Sequence, residues 1–314
     1  MAPNQGEAMY FEEFKKYKND FLSYINIERN LTINTQKSYK SDLNLFSDFW
    51  SNVEKLESKK VLLRRAIERY FVNLFHKKID KSSVARKISC FRSLENYLKS
   101  QDIKLSLKLK RPRLDKKLPV YLNVDEVFYL LDGVKDKDLP SKRPIRDKTV
   151  FELLYATGIR CSELCGIRMQ DLDLQEKVIR IAGKGRKERY VLFGKKAKLR
   201  IEQYLEIERP KITDPKDPLF VNHRNEPLNQ RTVQRIMQMF RSFLRGNKNI
   251  TPHKIRHSFA THLLNQGADL RVVQELLGHA TLASTEKYTH VTSAQLAQMC
   301  DDLHPINTMK KGKL

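Results

Sequence analysis

Through the first hundred residues, apolar side chains recur every three or four positions. Phe14, Tyr17, Phe21, Tyr24 and Ile25 form one stripe, and Tyr39, Leu43, Phe46 and Trp50 form a second. Leu62, Ile67, Phe71 and Leu74 belong to a third, and Ile88, Phe91, Leu94, Tyr97 and Leu98 to a fourth. Spacing of this kind puts one apolar face on each of four helices, which can bury those faces against one another. The segment KLKRPRLDKKLP at 108–119 then carries two prolines and no apolar period, so it reads as an extended linker. Helical patterning resumes at Asn123-Val-Asp-Glu, a cap followed by acidic residues in the first turn, and continues through Leu153 and Leu154.

The period changes at 177–193. KVIRIAGKGRKERYVLF places two β-branched or aromatic runs on either side of Gly183-Lys184-Gly185, the pattern of a β-hairpin with a glycine-supported turn. From 228 onward the pattern is helical again. The expected organisation is therefore a mainly α chain with a small β-hairpin. It has an N-terminal four-helix domain at 1–107, a basic linker at 108–122 and a second domain at 123–314.

Charge sharpens this picture. The 314 residues carry a formal net charge of +23, which favours a polyanionic partner. The excess is local: residues 1–50 hold six basic and seven acidic side chains, whereas residues 51–122 hold twenty basic and seven acidic ones. Arg86, Lys87 and Arg92 on the fourth predicted helix are the candidates for contacts to the phosphates of such a partner. No run of eighteen apolar residues provides a membrane span, and MAPNQGEAMYFEEFKKY lacks the pattern of a secretory leader. Four cysteines, Cys90, Cys161, Cys165 and Cys300, are too few for a disulfide framework and lack metal-site spacing. A reducing, cytoplasmic setting with no membrane partner is the expectation.

Chemistry concentrates toward the C-terminus. In TPHKIRHSFATHLLNQG at 251–267, Thr251 is a cap, Pro252 fits the first helical position and Gly267 fits the stop. His253 and Arg256 are three apart and leave one face of the first turn, where the helix N-terminus adds partial positive charge. A short helix follows, capped by Asp269 and stopped by Gly278, with His279 directly after it and Tyr288 nine residues further on. Upstream, Arg160 in TGIRCSEL follows a glycine and precedes a helix start near Ser162. Each residue alone has an ordinary reading as packing or solvated charge. The ordered set of Arg160, Lys184, His253, Arg256, His279 and Tyr288 does not.

With that set at those spacings, the chain resembles the tyrosine recombinase and phage integrase family. The resemblance rests on TGIRCSEL, the hairpin lysine in AGKGRKER, TPHKIRHSFATHLL and LLGHATLASTEKYTH. It extends to the Xer-type branch through IERNLTINTQKSYKSDLNLFSDFW at 27–50, LPVYLNVDEVFYLL at 118–131 and DDLHP at 301–305. It implies a C-shaped two-domain DNA clamp, with a SAM-like core-binding domain and a catalytic domain. It also implies that Tyr288 is the nucleophile, giving a 3′-phosphotyrosyl link. Arg160 and Arg256 would clamp the phosphate, His279 would donate to it, Lys184 would protonate the leaving 5′ oxygen, and His253 would assist proton transfer. Glu163 could pair with one of the active-site cations, or form an ordinary helix salt bridge.

No cofactor or metal is called for. The implied partners are a double-stranded recombination site, three further protomers or a paralogue in a tetramer that passes through a Holliday junction, and a septal DNA translocase as activator. Leu296, Met299 and Leu303 are spaced to dock a C-terminal helix on a neighbour. Few residues precede Phe11, which favours chromosome- or plasmid-dimer resolution over a mobile-element integrase with an extra arm-binding domain. A non-catalytic architectural DNA-binding protein and a type IB topoisomerase are the other readings.

Overall fold

The computed structural model describes residues 9–113, 121–182, 188–246 and 248–277. The chain divides into two compact units, 1–117 and 118–314.

In the first unit the four stripes become four helices: α1 (Phe11–Ile27), α2 (Ile33–Glu57), α3 (Leu63–His76) and α4 (Lys81–Ser100). Thr32 caps α2 by accepting from the Thr35 N–H, and Asp80 caps α4 by accepting from the Ser82 N–H at 2.8 Å. The helices meet in an aromatic core. Phe14 and Phe46 pack edge to face at 5.3 Å, Phe46 does the same with Phe91 at 5.1 Å, and Trp50 completes the cluster. One stripe residue departs from expectation. Leu62 is exposed because the helix begins one residue later, so Leu62 is a cap outside the helical phase and Leu63 takes the buried position.

The run after α4 is bound to this unit. Ile103, Leu105 and Leu107 are buried in its core, and Leu109 packs against it. The Leu107 N–H donates to Glu95 Oε1 at 3.1 Å, and Arg111 Nη2 donates to Ser89 Oγ at 2.9 Å. The first part of the expected linker is thus fastened to the helical bundle.

The second unit is built around α6 (Pro144–Thr157), in which every residue from Ile145 to Thr157 is buried. A helix buried on all sides needs partners for its polar groups. Arg146 pairs with Asp147 at 2.6 Å, Lys148 with Asp136 at 2.6 Å, and Glu152 with Arg200 at 3.0 Å. The short helix α5 (Val124–Phe128) begins at the expected Asn123 cap, where Asn123 and Glu126 form a reciprocal capping box. Around α6 lie α7 (Cys161–Gly166), α8 (Lys195–Ile207), α9 (Gln230–Phe240), α10 (Pro252–Asn265) and α11 (Leu270–Leu277).

The expected hairpin is present as β2 (Val178–Ala182) and β3 (Glu188–Leu192), paired antiparallel with Ile179 opposite Val191 and Ile181 opposite Arg189. A two-residue strand β1 (Leu172–Asp173) extends it to three strands in the order β1-β2-β3. The described cysteines, Cys90, Cys161 and Cys165, are free thiols. Cys300 lies outside the described residues. Among the described residues, no helix is long and apolar enough to cross a membrane.

Candidate active site

The site is assembled where α6 ends, α7 begins and α10 starts. Gly158 terminates α6 in the left-handed region, with φ +61°, and its N–H closes on the Leu154 carbonyl at 3.0 Å. A Cβ at this position would lie 2.5 Å from Phe259 Cδ1 and 3.0 Å from Leu277 Cδ2. Both the backbone conformation and the packing therefore require glycine. The tight turn delivers Arg160 two residues later.

The α10 helix begins as its sequence indicates. Thr251 Oγ1 accepts from the Lys254 N–H, Pro252 occupies the first helical position, and Gly267 ends the segment with φ +88°. Ile255, Phe259 and Leu263 form its buried face. Arg256 lies in the same layer, only 8% exposed, and its guanidinium spans two carbonyls. Nη1 donates to Gly158 O and Nη2 to Leu277 O, both at 2.6 Å. A cation at these two carbonyls sits where α6 and α11 present partial negative charge. His253, one turn earlier, is exposed.

Arg160 has extended backbone and forms the N-cap of α7. Its N–H donates to Glu163 Oε2 at 2.8 Å and its Nη1 donates to Oε1 at 2.9 Å. Its side chain remains 46% exposed, while that of Glu163 is 7% exposed. The same carboxylate accepts both terminal nitrogens of Arg189 on β3, at 3.0 and 2.9 Å. Burial opposes ionisation of Glu163, but the hydrogen bonds from Arg189 and Arg160 outweigh it and hold the carboxyl below its usual range. Burial, then the neighbouring charge of Arg160, pushes Arg256 down to about 10 despite the opposing attraction of Glu163. A guanidinium so destabilised gains from an incoming anion.

Beneath this cluster α6 and α10 are tied by a buried pair, Tyr155 Oη to His262 Nδ1 at 2.8 Å. Neither Arg189 nor this pair stood out in the sequence. Arg189 could have been found from strand alternation, because it shares a face with buried Val191 and lies opposite buried Ile181. Tyr155 and His262 sit in separate apolar stretches, and sequence spacing does not pair them.

Of the six expected catalytic residues, the structure brings Arg160 and Arg256 into one constellation and places His253 on the same helix as Arg256. Lys184, His279 and Tyr288 lie outside the described residues, as do Leu296, Met299 and Leu303. On α4, Arg86 and Arg92 are exposed, and Arg92 Nη2 donates to Leu109 O at 2.7 Å. Lys87 corrects the expectation of a surface contact. It is 5% exposed and its Nζ donates inward to Asp42 at 2.7 Å. Asp42, 1% exposed, also accepts from Arg86, so its charge is compensated by two cations.

Comparison with known proteins identifies the family. Residues 121–295 match the phage integrase family, and residues 19–102 match the N-terminal SAM-like domain of phage integrases. The chain belongs to the phage integrase family. It is a tyrosine recombinase, an enzyme that cleaves and rejoins DNA. It is 39% identical over 304 residues to a tyrosine recombinase XerC of Thermodesulfovibrio yellowstonii, covering 93% of this chain and 97% of that one. It is 41% identical over 295 residues to a tyrosine recombinase XerD of Listeria innocua, covering 91% and 97% of the two chains. The fold is similar to that of a lambda integrase dimer bound to a COC′ core site, with TM-score 0.66, 16% identity, and coverage of 87% and 96%. The recombinase thus has the two-part build expected of it, a SAM-like helical domain and a mostly helical catalytic domain with a small sheet.

Proposed function

We propose that this recombinase acts on a double-stranded site through a covalent link at Tyr288, in the manner of the Xer-type proteins it resembles. The observation that carries the reading is Arg256, locked between the Gly158 and Leu277 carbonyls beside a half-exposed Arg160. Two guanidiniums held together in a net positive cluster suit a phosphodiester, whose non-bridging oxygens gain charge as the phosphorus becomes five-coordinate.

In the proposed reaction the Tyr288 hydroxyl attacks phosphorus and the bond to the 5′ oxygen breaks. The tyrosine proton passes to a base, with His253 assisting, and Lys184 gives a proton to the departing oxygen. The product is a 3′-phosphotyrosyl link and a free 5′-hydroxyl. Attack by a 5′-hydroxyl from the partner strand reverses the step and releases Tyr288. Because the phosphotyrosyl bond conserves the energy of the broken phosphodiester, resealing requires no nucleotide. Arg160, Arg256 and His279 hold the phosphate throughout.

The wider role in this reading is resolution of chromosome or plasmid dimers in the cytoplasm. Four protomers, alone or with a paralogue, exchange strands through a Holliday junction, and a septal translocase activates them. Support comes from 39% and 41% identity, over nearly the full length, to proteins named XerC and XerD.

The test is covalent capture. The protein is mixed with a library of nicked duplexes carrying randomised inverted repeats, and adducts are isolated on a denaturing gel beside Tyr288→Phe. An adduct from the wild type alone, enriched for one sequence, is the expected result. Tight binding without any adduct would leave only an architectural role, and adduct formation with no sequence enrichment would indicate a topoisomerase.

A further inference from the structure

The Glu163 carboxylate is filled from both sides. Oε1 accepts Arg160 Nη1 at 2.9 Å and Arg189 Nη1 at 3.0 Å, while Oε2 accepts the Arg160 N–H at 2.8 Å and Arg189 Nη2 at 2.9 Å. Arg189 approaches in the bidentate geometry that guanidinium and carboxylate favour. Its partner is 7% exposed, so solvent screens the contact little. Arg160 makes only one side-chain bond to the same group and keeps nearly half its surface open.

This arrangement has two consequences. A glutamate bonded to Arg160 alone would spend its whole charge on that arginine. With Arg189 taking both oxygens from the far side, Glu163 is fixed in one orientation, and it fixes the Arg160 guanidinium in turn. The charge balance also changes, because one carboxylate is divided between two cations and the trio retains a net positive charge. Arg189 belongs to the sheet, opposite Ile181 and on the face of buried Val191, so its backbone is well anchored.

We propose that Arg189 is a positioning residue for phosphate activation, acting through Glu163 to hold Arg160 in place with its charge available to the scissile phosphate. The inference rests on the reading of Arg160 as a phosphate-binding residue. It assigns to Arg189 an effect on the charged non-bridging oxygen rather than on the fold or on DNA affinity.

A substrate lacking that charge tests it. Nicked duplexes carrying the captured site are prepared with either the natural phosphodiester or a methylphosphonate at the scissile position, in both diastereomers. Strand breakage, as adduct or released fragment, is followed under single-turnover conditions, with binding to the same duplexes measured by band shift. Arg160→Ala should lose roughly 100-fold or more on the phosphodiester, in keeping with removal of one preorganised donor. On at least one methylphosphonate its loss should be tenfold or less, since the charge it served is gone. Arg189→Met should show the same pattern at smaller amplitude, about tenfold on the phosphodiester and threefold or less on that methylphosphonate, as expected for loss of a supporting hydrogen-bonded charge.

Equal loss for Arg189→Met on both substrates would reduce Arg189 to a structural role, and no loss on the phosphodiester would remove its role altogether. If Arg160→Ala is also unrestored by the methylphosphonate, the phosphate-binding reading of Arg160 fails and takes the inference with it. That outcome is recognised from the Arg160 variant alone. Should Arg189→Met not bind DNA, Arg189→Lys replaces it. A lysine bonds one carboxylate oxygen rather than two, so its loss on the phosphodiester should be intermediate and again smaller on the methylphosphonate.

Discussion

Arg256 Nη1 donates to the carbonyl of Gly158 at 2.6 Å, so the helix that supplies one of the two arginines proposed to bind phosphate also fixes the turn that presents the other, Arg160. The turn leaves no room for a side chain at 158, where φ is +61° and a Cβ would lie 2.5 Å from the Phe259 ring. Gly158→Ala should therefore destabilise the protein by about 2–4 kcal/mol, from left-handed strain together with overpacking. Urea unfolding measures this. A variant as stable as wild type would mean that the turn relaxes freely, and the coupling between Arg256 and Arg160 would then lose its structural basis.

Replacing the fork of Arg256 by a single ammonium should separate binding from chemistry. In Arg256→Lys one nitrogen cannot reach both the Gly158 and Leu277 carbonyls and also face a phosphate. Adduct formation should fall by about 100- to 1000-fold, near 3–4 kcal/mol, the range for loss of one transition-state donor. Affinity for the duplex should change by less than about tenfold, because most of it comes from other phosphate contacts. A loss of affinity with an unchanged rate of adduct formation in the bound complex would show that Arg256 acts on the ground state.

The elements were legible where local chemistry decided them. Thr251, Pro252 and Gly267 mark both ends of α10, and Asn123 with Glu126 marks the start of α5. Side chains whose role depends on a distant partner were harder to read. Lys87 lies four residues before Phe91 and seven before Leu94, so helical phase already turned it toward the core. Asp42 likewise precedes Phe46 by four on α2. Each looks like a break in an apolar stripe, and only the contact between α2 and α4 makes the two breaks compensate. Arg189 is legible only in part, since strand alternation turns it to the face of Val191 but nothing in the sequence pairs it with Glu163. Strand β1, at two residues, is too short to carry a period.

The buried ion pair makes a quantitative contrast on α4. Asp42→Ala leaves Lys87 without its carboxylate in a buried position and should destabilise the protein by about 3–5 kcal/mol. DNA binding separates the basic residues in another way. Arg92→Ala should lower the slope of log affinity against log salt by about one, the signature of one lost phosphate contact, whereas Lys87→Met should leave the slope unchanged. A lower slope for Lys87→Met would return that lysine to the DNA-contacting set.

The Tyr155–His262 pair sets an acid limit on stability. Burial, only partly offset by the Leu122 backbone, holds His262 below its ordinary value of 6.5. In the pH range just under 6.5 the unfolded chain binds a proton at this histidine and the folded protein does not. Stability therefore rises with pH across that range, is fully present above it, and is lost as pH falls. Glu163 is depressed rather than raised, so its contribution disappears only at the lower pH where carboxylates protonate, and the two effects fall in different windows. His262→Gln removes the titrating group while keeping a polar side chain opposite Tyr155. The stability difference between wild type and His262→Gln should shrink as pH is lowered from about 7 to about 5, measured by urea unfolding at each pH. A difference that widens toward acid would mean that the folded protein holds His262 protonated, with the ring donating to the Tyr155 hydroxyl, and a constant difference would mean that folding does not shift this histidine.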